Sequence, residues 1–196
     1  MSGGPVYAWE PEKGVHIGIM PRSGSVADMR WFRSDQPGFV FHPMNAHTNG
    51  DTVTCDVCEF DQAPLFPSAD GSPGDPAKSV PRLTRWTFDM AQNSADYKWE
   101  RLNDLACEFP RLDERFSGLD YRYGYMACDS HPEFDVGGFN GIARIDHQTG
   151  KIDIHHVGET CATSEPIFVP KSGDAAEGEG FLLSNVYDAE RKASHL

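Results

Sequence analysis

Residues 38–60 read GFVFHPMNAHTNGDTVTCDVCEF, and their reading decides the fold. Gly38-Phe39-Val40-Phe41-His42 is a short apolar strand. Asn49-Gly50-Asp51 is a turn, and Thr52–Glu59 alternates β-branched and polar residues as the returning strand of a hairpin. The same grammar recurs outward. Leu83–Met90 and Tyr97–Leu102 predict a second hairpin joined by the polar stretch AQNSAD, and Tyr121–Cys128 is an aromatic-rich strand. Gly141–Asp146 and Lys151–His156 flank His147-Gln148-Thr149-Gly150, a third hairpin. Ile167–Pro170 and Gly180–Tyr187 make the last two strands. Helical patterning is nearly absent, and Asp113–Gly118 holds one turn at most. Pro64–Pro81 carries five prolines and no periodicity, so it is a long surface loop between strands of one kind. LTRWTFD and IARIDHQTGKIDI share a rhythm at a spacing of roughly 60 residues, which fits the blades of a β-propeller; an antiparallel sandwich has the same strand count.

Composition narrows the function. The chain has 196 residues, 17 Lys and Arg against 30 Asp and Glu, and a formal net charge of −13. That balance speaks against nucleic acid or an anionic membrane surface as a partner, because both need clustered cations. With 39% hydrophobic, 24% charged and 11% aromatic residues, the chain reads as one globular unit with a packed interior. No run of 18 apolar residues exists, so a transmembrane helix is not expected. The opening MSGGPVYAWEPEKG lacks the basic flank and apolar run of a secretory signal. Cys55, Cys58, Cys107, Cys128 and Cys161 make an odd count, which a fully paired framework cannot use. Cys55-x-x-Cys58 invites a zinc or redox reading, but no second ligand pair accompanies it and the surrounding residues read as a strand. Plain thiols in a reducing cytoplasm are the expectation.

Of the eight histidines, His42 stands apart. It ends an apolar strand and precedes Pro43, which gives it little rotamer freedom and little water. Those are conditions for a metal ligand or a general base, and equally for a satisfied structural histidine. Asn45 is expected to brace the turn by bonding its own backbone. His155 and His156 are adjacent and point to opposite faces of a strand. Glu108, in ACEFPRLD, and Glu165, in TSEPIFVP, are carboxylates among apolar neighbours. Each must be paired to stay buried. One reading has them hydrogen-bonding metal-bound imidazoles; the other has them capping local amides or pairing with an arginine.

The stretch from Pro21 to Pro67 resembles the third quarter of the carotenoid cleavage oxygenase family, which includes the carotenoid and apocarotenoid oxygenases, lignostilbene dioxygenases and the retinal pigment epithelium retinoid isomerase. The motifs are MPR (20–22), RWF (30–32), FHPMNAHTNGD (41–51), CEFPRLD (107–113), YRYGYMA (121–127), SEPIFVP (164–170) and GEGFLLSNVYD (178–188). They occur in the family's order from Trp9 to Tyr187. The resemblance implies an all-β chain that is part of a seven-bladed β-propeller, with residues 1–196 supplying three to four blades and further blades on either side. It implies one Fe(II) ion per complete domain, held by four histidines and without haem, and it implies that the family splits an alkene with O2 into two carbonyl products. His42 matches an iron ligand, and Glu108 and Glu165 match the glutamates that hold such ligands from behind. His47 is expected to neighbour the site and tune the substrate. Neither His16 nor His195 has a ligand context. The implied partners are O2 and an apolar carotenoid, apocarotenoid or stilbene, with peripheral membrane contact for substrate uptake and a cytoplasmic location. One histidine of four leaves this chain without activity on its own. Two other classes stay open on the residues themselves. One is a non-catalytic propeller that binds partners through loops such as Pro64–Pro81. The other is a lactonase whose calcium-type oxygen donors are Asn45, Asp51 and Glu165.

Overall fold

In the computed structural model, residues 5–134 and 138–196 are described. Fourteen strands are assigned among them: β1 (Val15–Ile19), β2 (Arg30–Ser34), β3 (Phe39–Asn49), β4 (Thr52–Phe60), β5 (Arg82–Asp89), β6 (Lys98–Leu112), β7 (Tyr123–Cys128), β8 (Gly141–Asp146), β9 (Ile152–His156), β10 (Cys161–Thr163), β11 (Ile167–Pro170), β12 (Gly180–Leu183), β13 (Val186–Asp188) and β14 (Ala193–His195). Every strand pairing is antiparallel and most join neighbours in sequence. The expected hairpin is present: Asn49 faces Thr52, and Gly50 takes the positive φ of 57° that the two-residue turn requires.

Seven strands form one run, β3-β4-β5-β6-β7-β8-β9, but they are two sheets in sequence. The 15-residue β6 belongs to both. Its start, Lys98–Arg101, pairs with β5; its end, Cys107–Leu112, pairs with β7. Residues 98–100 are exposed, whereas Cys107 and Glu108 are buried, so β6 runs from the outer rim of one blade to the inner edge of the next. Each blade thus has four strands. The sandwich alternative fails here, because the two four-stranded sheets are consecutive in the chain and continuous through β6.

Alternation within each strand supplies both faces of the blade. On one side, Val57, Trp86 and Phe88 meet Phe32 of β2, with Ile17 and Ile19 of β1 behind. On the other side, Met44, Cys58 and Leu83 meet Cys107, Leu112, Tyr121, Met126, Cys128, Ala143 and Ile145 of the second blade. Cys58 lies in one cluster and Cys55 against the other, three positions apart on β4. A joint Cys55–Cys58 ligand or redox pair is therefore excluded by strand geometry. All five cysteines are free, and all but Cys55 are buried.

Strand extents differ from the sequence expectation where bulges intervene. β3 continues through Pro43 to Asn49, and β6 absorbs CEFPRL. Gly180–Tyr187 divides into β12 and β13 at Ser184-Asn185, because the Ser184 hydroxyl turns to Thr163 and the Ser164 carbonyl. The three-residue strands β10 and β14 are too short to show a period, whereas β1 alternates over Val15, Ile17 and Ile19. Asp113–Gly118 holds one 3-10 turn, capped by the Asp113 carboxylate accepting from the Arg115 N–H.

The blade interface also contains a polar knot. Asp56 of β4 is 1% exposed and accepts both Nε (2.7 Å) and an Nη (2.8 Å) of Arg85 from β5, and the Tyr121 hydroxyl (2.6 Å). Arg85 donates onward to His147 Nδ1 at 3.2 Å. Guanidinium has no acceptor, so His147 carries its proton on Nε2, 3.9 Å from Asp56. Burial brings the His147 pKa down to about 4 from 6.5. The unfolded chain protonates His147 near pH 6.5 and the folded one near 4, so its contribution is complete above pH 6.5 and falls as pH drops towards 4. Glu59 and Glu108, raised by burial, act in the opposite sense. The expected outcome is a stability loss of about 2 kcal/mol from this histidine at pH 5, a pKa unit being worth about 1.4 kcal/mol. Urea melts at pH 7 and 5 measure it, and His147→Gln should remove that part of the difference.

At the far end, Phe181 is 63% exposed, beside Ile167, Val169, Leu182 and Leu183 on the two-stranded β11-β12 sheet. Expressed by itself, the chain should self-associate through this face. Light scattering after size exclusion should show oligomers for the wild type and a shift towards monomer for Phe181→Lys with Leu183→Lys. A monodisperse wild-type monomer would contradict the expectation.

Candidate functional site

Three bulges, two in β3 and one in β6, bring the site together. In β3, Val40 faces Glu59 while Pro43 faces Val57, so the inner strand carries one extra residue; a second extra residue follows between Pro43 and Asn45. Pro43 has no N–H to lose from the ladder and fits a position flanked by bulges. In β6, Glu108 faces Ala127 and Arg111 faces Tyr125, another single-residue excess. Phe109, inside that bulge, has a φ of 54°. Bulges re-aim side chains, and here they turn His42 from one blade and Glu108 from the next towards each other.

His42 Nδ1 meets Glu108 Oε2 at 2.8 Å. The same oxygen accepts the Phe109 N–H, while Glu108 Oε1 is buried without a partner. A carboxylate accepts only, so the His42 proton sits on Nδ1 and Nε2 keeps its lone pair. Burial raises the Glu108 pKa, and the Phe109 amide and His42 pull it back. Rings flank the imidazole: Phe109 at 5.4 Å and Phe41 at 6.2 Å between centroids, with Phe139 6.1 Å beyond Phe109. The imidazole opens on a cleft of about 500 Å3 that is also lined by Met44, Asn45, Arg111 and Glu165.

The structure corrects the expectations for His42, Asn45 and His47, and gives Glu165 the arginine partner that the sequence left open. The His42 side chain is 48% exposed rather than buried, because the bulge holds it on the cleft wall while Glu108, 6% exposed, carries the burial. Glu165 lies in the same cleft but has no histidine partner among the described residues. It pairs with Arg111 at 2.5 Å and is 46% exposed. Asn45 does not brace its own turn. Its amide is spent on the 116–119 loop, donating to the Phe116 and Leu119 carbonyls and accepting from Gly118 N–H. His47 does not neighbour His42. It lines a separate cleft of about 230 Å3 with Arg85, Tyr121 and His147. The oxygen-donor set fails as well: Asn45 is occupied, Glu165 is paired, Asp51 sits in the β3-β4 turn, and among the described residues no three His, Cys, Asp or Glu cluster as a metal cage.

Sequence reasoning missed Phe109 and Arg111. Pro110 was the available signal for the first, since the residue before proline is barred from the right-handed helical region. Arg111 had no local signal, because its partner is 54 residues away.

Comparison with known proteins agrees with this fold. The chain is 38% identical over 200 residues to isoeugenol monooxygenase of Pseudomonas putida, covering 98% of the chain and 42% of that protein. Its fold matches the crystal structure of Pseudomonas brassicacearum lignostilbene dioxygenase with a TM-score of 0.91 at 30% identity, over 98% of this chain and 42% of that one. Cobalt-substituted Synechocystis ACO matches with a TM-score of 0.79 at 27% identity, over 94% of this chain and 38% of that one. The chain thus spans about two fifths of the length of these relatives. The family model for retinal pigment epithelial membrane protein matches residues 1–196, the full extent of the sequence, and the chain belongs to that family, the carotenoid cleavage oxygenases.

Proposed function

We propose that the polypeptide containing this chain cleaves a carbon–carbon double bond with O2, and that His42 is one of its ligands to a non-haem Fe(II). The observation carrying this reading is the His42–Glu108 pair, in which a carboxylate from the neighbouring blade fixes the imidazole tautomer and leaves Nε2 free to ligate. The residues present fit one imidazole of such a centre. The other ligands are assigned to parts of the propeller outside residues 1–196. Bound iron would supply the site at which O2 becomes reactive towards the alkene.

The chain's own residues have definable tasks. Glu108 holds the proton on His42 Nδ1 and orients the ring. Phe41, Phe109 and Phe139 make an apolar wall beside it that suits a flat conjugated substrate and disfavours water. The named relatives act on isoeugenol and lignostilbene, both phenolic alkenes, and we assign the substrate to that class rather than to long carotenoids. Five free cysteines suit a reducing compartment, consistent with a cytoplasmic enzyme.

Incubating the full-length protein with isoeugenol, a stilbene and an apocarotenoid under O2, with carbonyl products identified by mass spectrometry, tests the reading. Iron-dependent aldehyde from the phenolic alkenes is expected; no carbonyl product from any of them would refute it. In the same protein, Glu108→Gln should lower iron affinity about 10–100-fold, measured by chelator competition.

A further inference from the structure

We propose that Phe109 is a positioning residue whose left-handed backbone sets the Glu108 carboxylate against His42; this rests on the reading of His42 as a metal ligand. Phe109 has a φ of 54°, one of two such non-glycine residues among those described, and the other lies in the exposed 190–192 turn. A bulky residue there carries backbone strain, and such strain persists where the surroundings over-determine it. Three constraints converge. Pro110 removes the right-handed helical region for Phe109, leaving the extended conformation as the competitor. The β6 bulge, Glu108 to Arg111 against Ala127 to Tyr125, needs one residue out of the ladder. The Phe109 N–H, freed from the ladder, turns back onto Oε2 of the preceding glutamate, the oxygen that also receives the His42 Nδ1 proton.

An extended Phe109 would return that N–H to the ladder and swing Glu108 with it. The carboxylate would then lose the bond that fixes its rotamer, and His42 would lose its fixed tautomer. The ring of Phe109 could contribute instead through contact with His42, at 5.4 Å, so the test must separate backbone from ring.

Glycine enters the left-handed region freely, whereas a β-branched residue resists it. In the full-length protein, Phe109→Gly should keep iron affinity within about threefold of wild type, and Phe109→Val should lose about tenfold or more. Nitrogen-15 spectra of His42 in the metal-free protein should show the Nδ1–H tautomer in wild type and F109G, and a tautomer mixture in F109V. Equal losses in the glycine and valine variants would assign the effect to the ring and overturn the proposal, as would a valine variant indistinguishable from wild type. Should F109V not fold, hydrogen exchange decides: the Phe109 amide should exchange slowly in wild type and at least tenfold faster in Glu108→Ala, and an unchanged rate overturns the proposal. If His42→Gln leaves iron binding intact while the Phe109 amide and the His42 tautomer behave as stated, the ligand reading fails and the backbone device stands.

Discussion

In the full-length protein, His42→Ala should abolish the proposed iron retention and alkene cleavage while leaving the circular dichroism of the β-sheet in place. The substitution removes the imidazole whose Nδ1 meets Glu108 at 2.8 Å, and leaves that carboxylate, 6% exposed, without its histidine. Imidazoles at separate positions hold a metal only together, so one loss reduces affinity steeply. The half-exposed ring contributes little to packing, which is why the fold should survive. Metal content by mass spectrometry and aldehyde yield check both halves; stoichiometric iron with normal turnover in this variant would remove His42 from the ligand set.

Asp56→Ala should be strongly destabilising, costing about 3–5 kcal/mol and lowering the urea midpoint accordingly. Asp56 is 1% exposed and gathers Arg85 through two bonds and Tyr121 through a third. Its loss strands a largely buried guanidinium beside His147, whose lowered pKa prevents it from taking a compensating role. Replacing Asp56 together with Arg85 by apolar residues of similar size should recover much of the loss, because the pair's burial is itself costly. A midpoint for Asp56→Ala near wild type would show that the knot is ornamental to stability.

The hairpins were legible because strand alternation and turn residues are local properties. Asn49-Gly50-Asp51 announces the β3-β4 turn, and HQTG announces β8-β9. The propeller was legible only as one of two options, since blade and sandwich strands bury the same alternating faces. What separated them was β6, whose double membership depends on a break in register between Arg82 and Thr84 that no residue signals. At the site, His42, Glu108 and Glu165 were identified as candidates and a carboxylate partner for His42 was expected; that Glu108, 66 residues away, is the one that supplies it was not legible. Glu165 illustrates the limit: the same carboxylate was compatible with a histidine or an arginine partner, and Arg111 takes it here. The Asp56 knot left no trace in sequence, because its members come from four separate segments and are ordinary residues in each.

The shared strand has a consequence for synthesis. As the chain emerges from the ribosome, Lys98–Arg101 completes the first blade on the edge of β5, and Cys107–Leu112 follows with its inner position already tethered. The second blade then assembles on a preplaced template rather than searching for one. Each new blade closes contacts near in sequence, so loop-closure entropy is met in small instalments. Growth across this boundary proceeds from the N-terminus in a blade-sized step, the finished first sheet handing β6 to the second as a starting edge.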